Sequence, residues 1–309
     1  MNAIKNFLNF VEISTKIAST LPFLVGTGYA AYRFGSFKPK QALIFLVAML
    51  LFDMTTTAIN NHIGHRQTGR KPHYSNAASL VIIFSMGIVA AVLGIYLVTI
   101  SSIAVLLVGI LCFVMGVLYS YGFIPISRTP FGELCSGVIM GFCIPFIAIE
   151  ISHPMIFITL HDVSRITIEA DWLEFLALGI VVMPLICCIS NIMLANNVCD
   201  VEEDARIKRY TLPFYIGIKK SLLLYKIIYI VAYLFIVIGS VTKIIPLFTL
   251  VMIITYIPVR KNILKFMELQ DKQKIFFTVI LNFLIITVPY AACIWLGNFL
   301  PIIDMIVIQ

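Results

Sequence analysis

Long apolar runs separated by short polar segments dominate this chain. They fall at 18–34, 41–59, 77–98, 100–120, 135–151, 173–196, 222–241, 244–258 and 276–299. A helix needs about 20 residues to cross the hydrocarbon core of a bilayer. The pattern therefore predicts an all-α polytopic membrane protein of about nine transmembrane helices around a central cavity. The run ending before Pro258 is short for a span. Helices suit lipid because each satisfies its backbone hydrogen bonds internally. No segment is of low complexity and no repeat of fixed period stands out. The expectation is one transmembrane domain over 1–309. The first run has no small-residue cleavage site and reads as a retained helix rather than a signal peptide.

Composition agrees. Of the 309 residues, 61% are hydrophobic and 12% charged, about half the charged share of a soluble domain. A soluble chain of this length could not cover so much apolar surface. The seven cysteines form no CxxC pattern, and several lie inside apolar runs, which favours buried thiols over disulfides.

The net charge of +7 does not point to nucleic acid, because the basic residues sit in short loops between spans. With the N-terminus placed in the cytoplasm, Arg33, Lys38, Lys40, Arg165 and Lys243 fall outside. Lys226 lies within a span, and every other Lys or Arg falls inside. That asymmetry orients a cell-membrane protein. The polar loops 60–76, 121–133 and 196–220 then face the cytoplasm, and 152–172 reads as an external cover.

Candidate chemistry sits in those cytoplasmic segments. At the end of the sixth span runs Asn196-Asn197-Val198-Cys199-Asp200-Val201-Glu202-Glu203-Asp204. If the helix continues, Asn197, Asp200 and Asp204 share one face. Oxygen ligands at a membrane surface suit Mg²⁺, which keeps waters and bridges to phosphate oxygens. Lys208 and Arg209 follow, and basic groups beside such a cluster suit a pyrophosphate. The competing reading is a solvated acidic helix end.

A second cluster ends the second span: Asp53, Thr55-Thr56-Thr57, Asn60-Asn61, then His62, His65 and Arg66. Asp53, Thr57 and Asn60 or Asn61 form a polar stripe at helical spacing. An ionisable residue inside a span should face a cavity or a partner, although Thr and Asn also glue membrane helices together. The third segment, from Tyr119 to Glu133, carries aromatics, two prolines and Arg128. Aromatic faces, Tyr119 among them, can stabilise a cation, and Arg128 can hold a phosphate bidentately. An interfacial aromatic belt would explain the tyrosines but not Arg128 with Glu133.

Together these segments resemble the UbiA superfamily of membrane prenyltransferases. That family carries two Asp-rich motifs, at the ends of its second and sixth spans. The second, NxxxDxxxD, is matched in full by Asn196, Asp200 and Asp204. The stretches "TTTAINN", "PISRTPFGELCSG" and "ANNVCDVEEDARIKRYTLP" are similar to the menaquinone branch of Gram-positive type, the 1,4-dihydroxy-2-naphthoate polyprenyltransferases. The first motif, NDxxD, departs from the family: it reads Asn60-Asn61-His62-Ile63-Gly64. Gly64 offers no ligand, so His65, Asp53 or water fills the gap, or the first magnesium is weakly held.

The resemblance implies a Mg²⁺-dependent enzyme that moves a polyprenyl group from its pyrophosphate to an aromatic acceptor such as dihydroxynaphthoate. It implies metal ligands among Asn60, Asn61, Asn196, Asn197, Asp200 and Asp204, pyrophosphate contacts from Arg66, Arg128, Lys208 and Arg209, and catalytic roles for Asp200, Asp204 and Tyr119. Lipid-open walls would admit the prenyl tail and exclude water from the allylic cation. Other readings are the same fold with another acceptor (a benzoate or a porphyrin derivative), a weakened family member, or a multi-span transporter. A transporter would hold its polar groups near the bilayer midplane.

Overall fold

The computed structural model describes residues 2–68, 74–122, 125–162 and 165–300. A short amphipathic helix α1 (Asn2–Phe10) and a 3₁₀ turn (Ile13–Lys16) lead into α2 (Ile17–Phe34). Then come α3 (Pro39–Thr68), α4 (Asn76–Thr99) and α5 (Ile103–Ser120). The fifth predicted run is a composite: α6 (Gly132–Val138), a π-helical turn (Ile139–Cys143) and α7 (Ile144–Glu150). A hairpin of β1 (Ile156–Asp162) and β2 (Arg165–Ala170) precedes α8 (Trp172–Cys199) and α9 (Val201–Arg206). The chain ends with α10 (Leu212–Ile216), α11 (Ile218–Val241), a 3₁₀ stretch (Leu247–Thr255), α12 (Tyr256–Glu268) and α13 (Phe276–Gly297).

Among the described residues, eight helical segments are long and apolar enough to cross a membrane. The predicted run at 18–34 is α2, an 18-residue helix that stands outside those eight because Ser19, Thr20, Thr27 and Arg33 dilute it. It tolerates those groups because neighbouring protein encloses it. Its residues from Leu21 to Phe23 and from Val25 to Ala30 are buried, packed on α7 and α13. The helices α4 and α5 lie at the periphery, with Val81, Phe84, Ile88 and Leu107 turned outward, as lipid-facing positions should be.

At the centre stands α8. It crosses close to α6 and the π turn, where glycine makes the approach possible. A Cβ at Gly141 would lie 2.6 Å from the Ile186 backbone nitrogen, and one at Gly137 would meet the Ile186 carbonyl at 2.9 Å and the Ser190 hydroxyl. The π turn precedes Pro145, which lacks the N–H that a regular turn would use. Buried polar side chains pin the remaining helices: Asn191 Nδ2 donates to the Tyr225 carbonyl at 3.0 Å, the Tyr290 hydroxyl to the Val181 carbonyl at 2.8 Å, and Asn262 Nδ2 to Asn282 Oδ1 at 2.8 Å.

Two features depart from expectation. The short run before Pro258 gains length because residues 247–255 wind as a 3₁₀ helix, whose rise of about 2.0 Å per residue exceeds the α-helical value of about 1.5 Å. The 152–172 cover is a β-hairpin, with Ile156 opposite Ala170 and Thr159 opposite Thr167. The β-branched residues in IFITL and RITI carried that signal. All seven cysteines are free thiols.

Candidate active site

Tertiary contacts gather two of the three polar segments, 119–133 and 196–209, at one end of the bundle, and the third, 53–61, borders the neighbouring cavity. Asn197 is buried, and its Nδ2 donates to Glu133 Oε1 at 2.8 Å. Its Oδ1 accepts from Arg209 Nη2 at 3.3 Å. Arg209 Nε also donates to the Ser127 carbonyl at 2.9 Å, and Arg209 Nη1 lies 3.5 Å from Asp204 Oδ1. One network thus joins α6, α8, α9 and the 125–131 loop. The Tyr210 N–H donates to the Arg128 carbonyl at 3.2 Å, which ties the same loop to the segment after α9.

The helix does not run unbroken through the acidic stretch. It ends at Cys199, and Asp200 leaves helical geometry with φ −101° and ψ 6° before α9 resumes. The expected shared face of Asn197, Asp200 and Asp204 therefore divides. Asn197 and Asp204 meet on Arg209, whereas Asp200 turns to an ion pair with Lys272. Asn196, half-buried, is one turn beyond Ile192 and Met193 on α8.

Two buried carboxylate oxygens in this network, Glu133 Oε2 and Asp204 Oδ2, have no hydrogen-bond partner. Burial, followed by the neighbouring Asp200 charge, pushes the Asp204 carboxyl up to about 6, against the opposing pull of Arg209 and Lys272. Unsatisfied buried carboxylates are costly, and a cation would relieve them. Among the described residues, no group of three or more His, Cys, Asp or Glu side chains could by itself hold a metal. The donors fit a hard ion that takes few protein oxygens and keeps its waters.

Beside the network lies a cavity of about 650 Å³. Its walls come from α2, α3, α4, α5, the α6–α7 composite and α8, and they are mostly apolar. Tyr119 and Ser120 line it, as do Cys135, Ser136 and Met193, which lie close in sequence to Glu133 and Asn197. The Tyr119 hydroxyl is buried without a hydrogen-bond partner. Asp53, Thr56, Thr57 and Asn60 line the cavity as well. The partner expected for Asp53 is Lys16, at 2.7 Å.

The remaining expected residues divide. Asn60 lines the cavity. Asn61 is not among the lining residues, and its Nδ2 donates to the Phe10 carbonyl and to Glu12 Oε1, both at 3.0 Å. Lys208 is exposed at the turn after α9, with a left-handed φ of 58°. The side chains of Arg66 and His65 lie outside the described residues. Gly64 has open space around its missing Cβ, with nothing within 4 Å. It is therefore not a helix-packing glycine.

The sequence reading gave no role to Glu133, Lys272 or Lys16. Glu133 left a local trace as a carboxylate opening an apolar span. The other two reach partners 72 and 37 residues away and left none.

This bundle, with a greasy cavity beside buried carboxylates and an arginine, is that of a membrane prenyltransferase: the UbiA prenyltransferase family model matches residues 19–298, and the chain belongs to that family. Among curated proteins it is similar to the 1,4-dihydroxy-2-naphthoate octaprenyltransferase of Bacillus subtilis (strain 168), with 29% identity over 243 residues, 72% of this chain and 70% of that one. Among solved structures, a UbiA homolog from Archaeoglobus fulgidus bound to DMAPP and Mg²⁺ superposes with TM-score 0.64 at 11% identity, covering 94% of this chain and 99% of that one. A structure of digeranylgeranylglyceryl phosphate synthase gives TM-score 0.64 at 14% identity over 96% of this chain and 99% of that one. The all-α membrane fold is common to this chain and these two solved structures.

Proposed function

We propose that the protein transfers a polyprenyl group from its pyrophosphate to a hydroxylated aromatic acid, a dihydroxynaphthoate-like acceptor of quinone biosynthesis. The observation that carries this reading is the pair of buried, unpartnered carboxylate oxygens on Glu133 and Asp204, bridged by Asn197 and Arg209 beside an apolar cavity. The Bacillus subtilis relative supports the acceptor class.

In this reading Arg209, pinned to the Ser127 carbonyl, holds the pyrophosphate with Arg128, Lys208 and Arg66. Asp204, Asp200, Asn196 and Asn60 would supply oxygens for Mg²⁺, and Asn197 with Glu133 orients the arginine. Asn61, committed to Glu12, supports the fold of α1 instead. When bound, Mg²⁺ would neutralise charge on the departing pyrophosphate. The carbon–oxygen bond breaks with its electron pair on the pyrophosphate. The allylic carbon becomes cationic, and the Tyr119 ring stabilises it. The acceptor ring forms the new carbon–carbon bond and releases its carboxyl group as carbon dioxide. The apolar walls keep water from the cation.

The test is incubation of purified protein with prenyl pyrophosphates, Mg²⁺ and a panel of aromatic acids, with product mass as readout. Asp204→Ala and Asp200→Ala are expected to lower turnover by at least about 100-fold, the scale of a lost electrostatic stabiliser, while the melting profile shows a folded protein. Turnover within a few-fold of wild type in either variant overturns the site.

A further inference from the structure

The two-turn stripe of α3 on the cavity wall holds a second polar cluster that the pyrophosphate end does not use. Lys16 is only 4% exposed. Its ammonium donates to Thr57 Oγ1 at 2.6 Å, to Asp53 Oδ1 at 2.7 Å and to the Asp53 carbonyl at 3.2 Å. Those three bonds exhaust its donors. Ser19 Oγ donates to Asp53 Oδ2 at 2.7 Å. Asp53 accepts one bond on each oxygen, so lone pairs remain on a carboxylate that lines the cavity. Thr57 spends an acceptor site on Lys16 and keeps its hydroxyl hydrogen.

This chemistry sorts possible occupants. A second cation is disfavoured, because Lys16 already balances the Asp53 charge at contact distance. That removes Asp53 as the replacement for the ligand missing at Gly64. A bare anion is disfavoured by the carboxylate. A neutral hydroxyl suits both groups: it can donate to Asp53 as a charge-assisted hydrogen bond and accept from Thr57. Asp53 precedes Asn60 by two turns on the same helical face, about 10 Å along the axis. The cluster is therefore set apart from the pyrophosphate end, across a gap comparable to a bicyclic ring with its substituents.

We propose that Asp53, Thr57 and Lys16 form the subsite that binds a hydroxyl of the aromatic acceptor. This rests on the aromatic-acceptor reading above. Hydrogen bonding of a phenol to a carboxylate also raises the ring's electron density, which favours its attack on a cationic carbon. Lys16 is a positioning residue, since its own donors are saturated within the protein.

The test measures binding of 1,4-dihydroxy-2-naphthoate and of 1,4-dimethoxy-2-naphthoate, which lacks the hydroxyl donors, to purified protein in nanodiscs. Wild type is expected to prefer the dihydroxy probe by at least about tenfold, the scale of one charge-assisted bond. Lys16→Met/Asp53→Leu replaces the buried pair with apolar groups, an exchange that often leaves stability intact. It is expected to bind both probes alike. Asp53→Asn keeps the shape and removes the charge. It is expected to weaken the preference and raise the acceptor KM while the prenyl pyrophosphate KM holds. A preference that survives in the double variant, or that stays at full strength in Asp53→Asn, overturns the subsite, as does a wild type that binds neither probe or does not discriminate. If the wild type discriminates but transfers no prenyl group, the enzymatic reading falls and the subsite stands. If transfer proceeds with an unchanged acceptor KM in Asp53→Asn, the reverse holds.

Discussion

Asp204 shows how one side chain carries both the cost and the use of the site. Its carboxyl is pushed up from 3.8 to about 6 by burial first and by Asp200 second. The folded pKa lies above the unfolded one, so the folded state binds the extra proton between these values. Stability is therefore fully present below the unfolded pKa and is lost as pH rises towards 6. The expectation is that metal-free Asp204→Asn melts higher than wild type at pH 7, and that the gap closes towards pH 4. Mg²⁺ with pyrophosphate should narrow the gap at pH 7 by binding the ionised wild type. A gap that is equal at both pH values would show that Asp204 is not the group that titrates.

At the scale of elements, the site depends on how closely α6 and the π turn approach α8. The Glu133–Asn197 bond spans 64 residues of sequence and exists because Gly137 and Gly141 let two helices nearly touch. Gly141→Leu should force them apart. Overpacking of this kind costs about 1–3 kcal/mol or more, and transfer should fall with the loss of the Glu133–Asn197–Arg209 alignment. Gly179→Leu is the control on α8, since its Cβ position is open. Thermal melts and turnover of both variants decide the matter. Equal behaviour of the two would mean that the crossing does not set the site.

Across the whole molecule, the polar groups segregate. Lys16–Asp53, Lys272–Asp200 and the Arg209 network mark one end, while Arg33–Glu174, 2.7 Å apart, and the hairpin mark the other. The expectation from the Lys/Arg asymmetry is that the first end faces the cytoplasm. Single cysteines at the exposed positions Lys208 and Lys243, in a background without the native cysteines, test this in intact cells with an impermeant thiol reagent. Labelling is expected at 243 and not at 208. The reverse pattern would invert the protein and its active site.

What the chain determined by itself is what sums locally. Hydropathy is a transfer free energy accumulated along some 20 neighbouring residues, so the eight spanning helices could be read directly, and α2 was read as a helix beside them. The match of Asn196, Asp200 and Asp204 to a known motif is equally local. Tertiary structure alone decided which of those groups act together. It gave Asp200 to Lys272, gave Asn61 to Glu12, drew Glu133 into the site and paired Asp53 with Lys16. Each is a contact over 37 to 72 residues. Such contacts follow from the crossing of whole helices, which small residues and polar pairs set inside the bundle and which no window along the sequence contains.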